Sequence, residues 1–319
     1  MQHYKGYIQL TYLLIISIMA LLIAFLKPIT GYAAITDYTL AIFLWVVLLW
    51  MYPVIPPYVT GFIGIFISIL VGVSENLAFS GFVNDVYWTI VGAYFLAVAV
   101  AESGIARRIG LYLINVSSGS ILSIVLSTTW TANILSPVIM SNTARGGLMA
   151  PIVKGVVDAI DSKPGDNKGG KTIFLANTII NVVNTNWVMT GLATNLIGLA
   201  LFEKFTHLTI SWLNWLVLGI PMLVLVVITP IIVYYMYRPV ESSENKIKVK
   251  EHAIEELKKM GPLTVKEKTA LSIFVFVLIL FVTDIWTKIP IGAIAILAMI
   301  LSILPKIGII EASKATKVV

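Results

Sequence analysis

Seven apolar stretches, most of them long enough to cross a lipid bilayer, dominate this chain. A membrane-spanning helix needs about 20 predominantly apolar residues, and a soluble protein could not keep so many of them out of water. The stretches lie at residues 7–27, 37–54, 57–73, 85–103, 212–237, 268–286 and 288–304. They predict an all-α membrane protein that crosses the bilayer many times.

The composition supports this prediction and excludes several kinds of site. Hydrophobic residues make up 58% of the 319 positions and charged residues 12%, with a mean hydropathy of +0.94; soluble domains carry about 25% charged residues. Cysteine is absent and only three histidines occur, so disulfides, thiolate metal sites and a histidine-built metal centre are not expected. The net charge of +6 does not indicate nucleic-acid binding, because the basic residues cluster in loops beside the apolar stretches.

The first apolar stretch predicts a retained membrane helix rather than a cleaved signal sequence. A signal sequence has a shorter apolar core followed by a small-residue cleavage site. Here the chain runs from residue 27 directly into the second stretch, and no transit segment rich in arginine and serine precedes it. These features favour a multi-pass protein of a prokaryotic-type plasma membrane.

Lysine and arginine predict which loops face the cytoplasm. Arg107, Arg108, the loop at 154–171 and the charged stretch 238–268 are all cytoplasmic under the positive-inside rule. Counting helices back from Arg107 places the N-terminus in the cytoplasm as well. The interrupted apolar region 120–160 begins and ends near basic loops, so it is predicted to be a re-entrant hairpin. The stretch 238–268 is either a helix at the interface or a solvated linker.

The sequence also contains an internal repeat. Residues 40–70 and 271–301 align without gaps, and about ten of the 31 positions are identical. The charge pattern gives the two segments opposite directions across the membrane, which is the inverted repeat typical of secondary transporters. The second copy is predicted to be truncated, with roughly three quarters of it missing. The predicted domains are an N-terminal helix (1–36), the first repeat (37–237), a basic linker or interfacial helix (238–267) and the start of the second repeat (268–319).

Residues 136–147 interrupt the predicted hairpin with polar and small side chains. Backbone that leaves the helical state inside a bilayer must be buried in protein or line an aqueous cavity. Ser141 and Asn142 favour a helix N-cap, so the second arm is predicted to begin here with its positive dipole end at the turn. Such an end attracts a carboxylate. The side-chain oxygens and nearby carbonyls also suit a small hard cation such as sodium.

A second interruption, residues 190–195, breaks the apolar region 172–205. Gly191 permits unusual backbone angles, and Thr194 and Asn195 are predicted to cap the half-helix that follows. Three asparagines before the break share one helix face, namely Asn177, Asn181 and Asn184. Buried amides in a membrane need partners, and this stripe is equally consistent with helix packing and with a binding cavity.

Arg145 lies in the first interruption, and an arginine at membrane depth is costly and usually functional. Three roles are open: pairing with a substrate carboxylate, occupying a site where a cation would otherwise bind, or snorkelling to the interface. Helix packing is the better explanation for the hydroxyl residues of the first arm, Ser127, Thr128, Thr129 and Thr131. The sequence contains neither a phosphate-cradling loop nor an acidic residue in the central third of a predicted span, and Ser141 has no base nearby. An enzyme is therefore not expected.

Three motifs in and between the interrupted regions form a recognisable set. They are SNTARGG at 141–147, SKPGD at 162–166 and MTGLATN at 189–195. The set resembles the divalent anion:sodium symporter family, and within it the 2-oxoglutarate/malate and citrate/succinate translocators. The first two motifs match closely, whereas the third departs at Thr194, where that subgroup often has proline or alanine. Family-like character extends from about residue 38 to residue 319.

The resemblance implies an elevator-type transporter, usually dimeric, for di- or tricarboxylates such as malate, succinate, 2-oxoglutarate or citrate. It works by sodium symport or by anion exchange, and Arg145 is compatible with both. The residues implied to contact the substrate are Ser141, Asn142, Thr143, Thr194 and Asn195. The residues implied to surround sodium are Ser141, Asn142, Gly191, Ala193 and Asn195. No cofactor is expected apart from sodium as a coupling ion.

Members of that family carry a second Ser-Asn-Thr hairpin and a second broken helix, which this sequence does not reach. The alternative function is therefore a non-transporting remnant, or one subunit of a split transporter that lacks the second half-site. The expected partners are a small carboxylate, the lipid bilayer, and either a second copy of the chain or another chain that supplies the missing repeat.

Overall fold

The computed structural model describes residues 2–26, 34–183, 186–305 and 308–310, and its regular structure in those ranges is entirely helical. The all-α prediction is therefore confirmed for the described part of the chain. The chain forms two compact units, Met1–Asn84 and Asp85–Val319.

The described residues of the first unit form three long helices and two single helical turns. They are α1 (Gln2–Leu26), α2 (Ala34–Met51), α3 (Pro57–Leu70), α4 (Glu75–Ala78) and α5 (Ser80–Val83). Helix α2 packs against both α1 and α3. The indole N–H of Trp45 in α2 donates to the hydroxyl of Ser17 in α1 at 3.1 Å, which satisfies a polar group between apolar helix faces.

The second unit contains twelve α-helices and two short 3-10 helices within the described residues. The first six α-helices are α6 (Asp85–Ser103), α7 (Ile105–Val116), α8 (Ile121–Leu135), α9 (Asn142–Ala159), α10 (Gly170–Val183) and α11 (Ala193–Thr206). The other six are α12 (Trp212–Gly219), α13 (Leu223–Tyr237), α14 (Ser243–Met260), α15 (Val265–Val282), α16 (Asp284–Thr287) and α17 (Ile291–Ile303). The 3-10 helices are Met189–Gly191 and Ile220–Met222.

Each predicted apolar stretch corresponds to one helix or to one continuous helical run. Two runs, Asp85–Ser103 and Trp212–Tyr237, are long and apolar enough by length and composition alone to cross a bilayer. Five further apolar helices are shorter, namely Thr11–Leu26, Ile35–Met51, Pro57–Leu70, Ile121–Leu135 and Ile291–Ile303.

The predicted hairpin region 120–160 folds as two helices joined by a short turn. Helix α8 begins after Ser120, whose hydroxyl accepts from the N–H of Ser123, and α9 begins after Ser141. Both helices pack against each other and against α10. Their apolar side chains share a core with residues of α7, α13 and α14, so the turn at 136–141 is held at one end of a packed helical cluster.

Helices α6 and α17 make the most extensive helix–helix contact of the second unit. A Cβ atom on Gly92 of α6 would lie 2.2 Å from the carbonyl oxygen of Ala295 in α17. The N–H of Gly292 donates to both carboxylate oxygens of Asp85, at 3.0 and 3.1 Å. The two backbones therefore approach more closely than any residue larger than glycine would allow at position 92.

The charged stretch 238–268 contains helix α14, which packs against α7 and α9 and buries Val249 and Ala253. The C-terminal end of this stretch is held by Arg108 of α7, whose guanidinium donates to both carboxylate oxygens of Glu267 at 2.7 and 3.0 Å. The same guanidinium donates to the carbonyl oxygens of residues 260–262. We refer to this arrangement as the Arg108 clamp. The hydrogen bonds from Arg108 lower the pKa of Glu267, which also closes a capping box with Thr264.

Candidate functional site

Ser141 is the N-cap of helix α9, as the sequence predicts. Its backbone is extended (φ −116°, ψ 118°), and its hydroxyl accepts from the N–H of Ala144 at 3.2 Å. Thr143 is exposed in the first turn of the helix, and Asn142 is partly exposed beside it. The first polar interruption therefore ends with the N-terminus of an 18-residue helix, whose dipole favours a negative charge at that end.

Arg145, one turn into α9, is completely buried. Its Nη1 group donates to the carbonyl oxygens of Ile139 and of Gly191, the latter at 2.9 Å, and its Nη2 group donates to Asn142 Oδ1. We call these three acceptors the oxygen cage. All three are uncharged, and no salt bridge of Arg145 occurs in the described part of the chain. Snorkelling is therefore wrong, because the side chain is completely buried in protein and does not reach the surface.

The second interruption lies between α10 and α11 and has non-helical backbone. Leu192 is extended (φ −150°, ψ 138°) and is the N-cap of α11, without a side-chain cap. The prediction that Thr194 and Asn195 cap this helix is therefore wrong. Both residues lie inside its first turn, where Asn195 Nδ2 instead donates back to the carbonyl oxygen of Val188 at 3.1 Å. Thr194 is exposed.

A chain of hydrogen bonds joins the two interruptions to later segments. The hydroxyl of Thr190 donates to the carbonyl oxygen of Pro137 at 2.6 Å and accepts from the indole N–H of Trp212 at 3.1 Å. The backbone N–H of Trp212 donates to Asp284 Oδ2 at 2.6 Å. Sequence reasoning missed Trp212 and Asp284, because their partners lie 22 and 72 residues away along the chain.

A cavity of about 320 Å³ lies beside the first turn of α9. Ser141 and Ala144 line it from α9, and Ala193 lines it from the start of α11, so the N-terminal ends of two helices reach the same space. Apolar residues of α6 also line it, including Ile90, Ala93 and Ala97.

Asn177 and Asn181 of the predicted stripe are both buried on α10. Asn181 Nδ2 donates to the carbonyl oxygen of Asn177 at 2.8 Å, whereas Asn181 Oδ1 is buried without a hydrogen-bond partner among the described residues. Asn184 lies outside the described residues. The packing and cavity interpretations of this stripe therefore both stay open.

Four of the predicted site residues fall into two groups, and Thr143, Thr194 and Asn195 belong to neither. Ser141 and Ala193 line the cavity, while Asn142 and Gly191 are brought together through Arg145.

The family model described as "sodium:sulfate symporter transmembrane region" matches residues 8–312. The chain belongs to this family. The resemblance to divalent anion:sodium symporters is thereby confirmed.

Curated relatives of this sodium:sulfate symporter family member include two proteins of Escherichia coli K12. The L-tartrate/succinate antiporter is 32% identical over 214 residues, which is 66% of this chain and 44% of the relative. Inner membrane protein YbhI is 31% identical over 205 residues, or 63% of this chain and 42% of the relative. The chain therefore spans less than half the length of these relatives. Members of the family are transporters and not enzymes.

Proposed function

We propose that this chain takes part in carboxylate exchange, with the Arg145 guanidinium in the place of a coupling cation. The observation that carries the proposal is the oxygen cage, in which three uncharged protein oxygens surround a fully buried positive charge. Sodium-coupled transporters bind their ion with carbonyl oxygens of unwound helix segments. Gly191 supplies such a carbonyl from the second interruption.

Two residues implied as sodium ligands, Asn142 and Gly191, are the ones whose oxygens accept from Arg145. A sodium ion bound to those oxygens would lie close to the fixed guanidinium charge, and the repulsion between the two cations disfavours its binding. The guanidinium also supplies one positive charge permanently, so a sodium gradient is not needed to charge the site. Of the two coupling modes that the sequence left open, this geometry favours exchange over sodium symport.

The substrate side of the proposal rests on the cavity next to Ser141. The N-terminal ends of α9 and α11 reach it, and backbone N–H groups at helix N-termini bind carboxylates. The charge of Arg145 is not cancelled by a carboxylate of the described chain, so it adds to this attraction. Ser141, Asn142, Thr143, Thr194 and Asn195 are the proposed contacts. Since one relative is named for tartrate and succinate, four-carbon dicarboxylates are the first substrates to test.

The wider architecture is proposed on the same basis. Helices α2 and α3 have 18 and 14 residues, and α15 and α17 have 18 and 13. Proline stands at the N-cap of the later helix in both pairs. These similarities support the inverted repeat. We propose with it a re-entrant hairpin at 120–160, a cytoplasmic N-terminus, elevator-type movement, and a partner that is either a second copy or another chain.

The test is uptake of labelled succinate into proteoliposomes containing the purified protein. One set is preloaded with unlabelled succinate and one is empty, and each is assayed in sodium chloride and in choline chloride. We expect uptake only into preloaded vesicles, at the same rate in both salts. Sodium-driven uptake into empty vesicles would show that the coupling assignment is wrong.

The alternative is a subunit or remnant that does not transport alone. Co-expression with the protein encoded by the adjacent reading frame distinguishes the two. Exchange by the chain alone supports the leading proposal, exchange only with the second protein supports a split transporter, and no exchange in either case supports a remnant.

A further inference from the structure

We propose that Thr190 is the positioning residue that holds the oxygen cage together, and that Trp212 and Asp284 fix Thr190 in place. Thr190 has not been predicted to contact substrate or ion. Only the expected effect of Thr190 on exchange rests on the proposed function. The positioning itself follows from the hydrogen bonds.

Thr190 joins the two chain segments that supply carbonyl oxygens to the cage. It directly precedes Gly191, whose carbonyl accepts from Arg145. Its hydroxyl donates to the carbonyl oxygen of Pro137, two residues before Ile139, whose carbonyl is the other backbone acceptor of the cage. One hydroxyl group therefore sets the distance between the hairpin turn and the 3-10 helix.

Trp212 fixes the direction of that hydroxyl. Its indole N–H donates to Thr190 Oγ1, so the single proton of the hydroxyl is left for Pro137. The indole is 2% exposed and stacks on the ring of Phe281, with ring centroids 6.0 Å apart and planes inclined by 12°. A packed tryptophan has one accessible orientation, which makes it a rigid support.

Asp284 in turn holds Trp212 at the start of α12. Its Oδ2 atom accepts from the N–H of Trp212, where the helix dipole favours a carboxylate. Its Oδ1 atom is buried with no hydrogen-bond partner in the described part of the chain. Burying a carboxyl group that has only one hydrogen-bond donor is unfavourable. The bond from the Trp212 N–H is therefore the interaction that offsets the cost of burying Asp284.

Among the described residues of this unit, no other buried threonine makes such a link. Thr129 is as buried as Thr190, but its hydroxyl donates at 2.7 Å to the carbonyl of Val125 in its own helix. Removal of the Thr129 hydroxyl therefore takes away a similar group without disconnecting two segments. It provides the matched control.

The absence of cysteine allows a direct measurement with one introduced thiol. Val138→Cys places it in the hairpin turn at a position that is 1% exposed, and Met140→Cys provides a second reporter in the same turn. The rate of maleimide labelling in detergent or liposomes reports how often the turn opens. Thr190→Val, Thr190→Ser and Thr129→Val are each combined with each reporter.

We expect Thr190→Val to raise the labelling rate at least about tenfold, because it leaves the Trp212 N–H and the Pro137 carbonyl without partners. Thr190→Ser, which keeps the hydroxyl, should restore the parental rate, and Thr129→Val should leave it unchanged. Asp284→Leu should accelerate labelling, whereas Asp284→Asn, which keeps an acceptor for Trp212, should not.

Equal labelling of Thr190→Val and the parent would overturn the proposal, as would equal acceleration by Thr190→Val and Thr129→Val. If a variant elutes as an aggregate on size exclusion, the same substitution is measured with the other cysteine reporter instead. The succinate exchange assay is run on the same samples. If labelling responds as expected while no sample exchanges, the positioning role stands and the proposed function fails.

Discussion

Arg145, which is buried, and Arg108, which is partly buried, show opposite ways of accommodating a positive charge. Arg108 donates to both carboxylate oxygens of Glu267 and to backbone carbonyls at the end of α14. Arg145 has a similar set of carbonyl acceptors, but an asparagine oxygen stands where Arg108 has a carboxylate. The charge of Arg108 is neutralised within the clamp, and that of Arg145 is not.

This difference is the basis for the proposed distinction between a structural arginine, Arg108, and a functional one, Arg145. A neutralised pair adds no net charge, so the Arg108 clamp can join α7 to α15 with little effect on a distant anion. An arginine held only by neutral oxygens keeps its full charge, and an approaching carboxylate is the natural counter-ion. The two sites should therefore respond differently to mutation, sodium and pH.

The largest effect is expected from Arg145→Ala. The cage oxygens lose their donors, each at a cost of about 1–3 kcal/mol, and exchange should fall at least about 100-fold, since about 2.7 kcal/mol corresponds to that factor. Sodium can then bind the freed oxygens. The thermal midpoint of the variant should be higher in sodium chloride than in choline chloride, whereas the wild type shows no difference. A variant without sodium stabilisation would contradict the cation-substitute assignment.

Glu267→Gln should have the next largest effect, and on stability alone. It leaves the Arg108 charge buried without its carboxylate, which costs about 3–5 kcal/mol. The thermal midpoint should fall equally in both salts, while the exchange rate per folded molecule stays near the wild-type value. Glu255→Gln, on the exposed face of α14, is the control. Loss of exchange in a folded Glu267→Gln protein would remove the distinction between the two arginines.

Acid should reduce the stability that the Arg108 clamp provides. The pKa of Glu267 is lowered by its hydrogen bonds to Arg108, so the carboxylate stabilises the fold above the ordinary glutamate value of about 4.3. That contribution is lost as the pH falls through the lowered value in the folded protein. The difference in thermal midpoint between wild type and Glu267→Gln should therefore shrink below about pH 4.3. A constant difference would mean that the pair does not titrate as described.

The smallest effect is expected from Arg107→Ala, one residue before the clamp. Arg107 pairs with Glu256 at 2.5 Å, but its side chain is 52% exposed. Exposed ion pairs contribute about 0–1 kcal/mol, so the free energy of unfolding and the exchange rate should both stay near wild type. A loss comparable to that of Glu267→Gln would show that burial is not what distinguishes these two neighbours.

The sequence predicts the helices well, because long apolar stretches and capping residues are local signals. Ser141 is an example: a serine before a helical segment is sufficient to predict the N-cap that the structure contains. The wrong prediction that Thr194 and Asn195 cap α11 also came from such a local signal. Local propensity could not anticipate that an extended Leu192 would take the N-cap position.

The interior of the site could not be predicted, because its contacts join distant segments. The cage contact between Arg145 and Gly191 spans 46 residues, and the three roles left open for Arg145 differ only in such contacts. The Arg108–Glu267 pair spans 159 residues. A partial signal was available there, since Thr264 and Glu267 have the spacing of a capping box.

The close approach of Gly92 to Ala295 has a mechanical consequence. Two helices whose backbones touch cannot slide by one residue, about 1.5 Å, without a side chain colliding with a carbonyl. We therefore expect helices α6 and α17 to move together as one rigid pair. The hydrogen bonds from the Gly292 N–H to Asp85 hold the two helices together at one end. Because α6 lines the cavity beside Ser141, we expect that wall to stay in place when the cavity changes its volume.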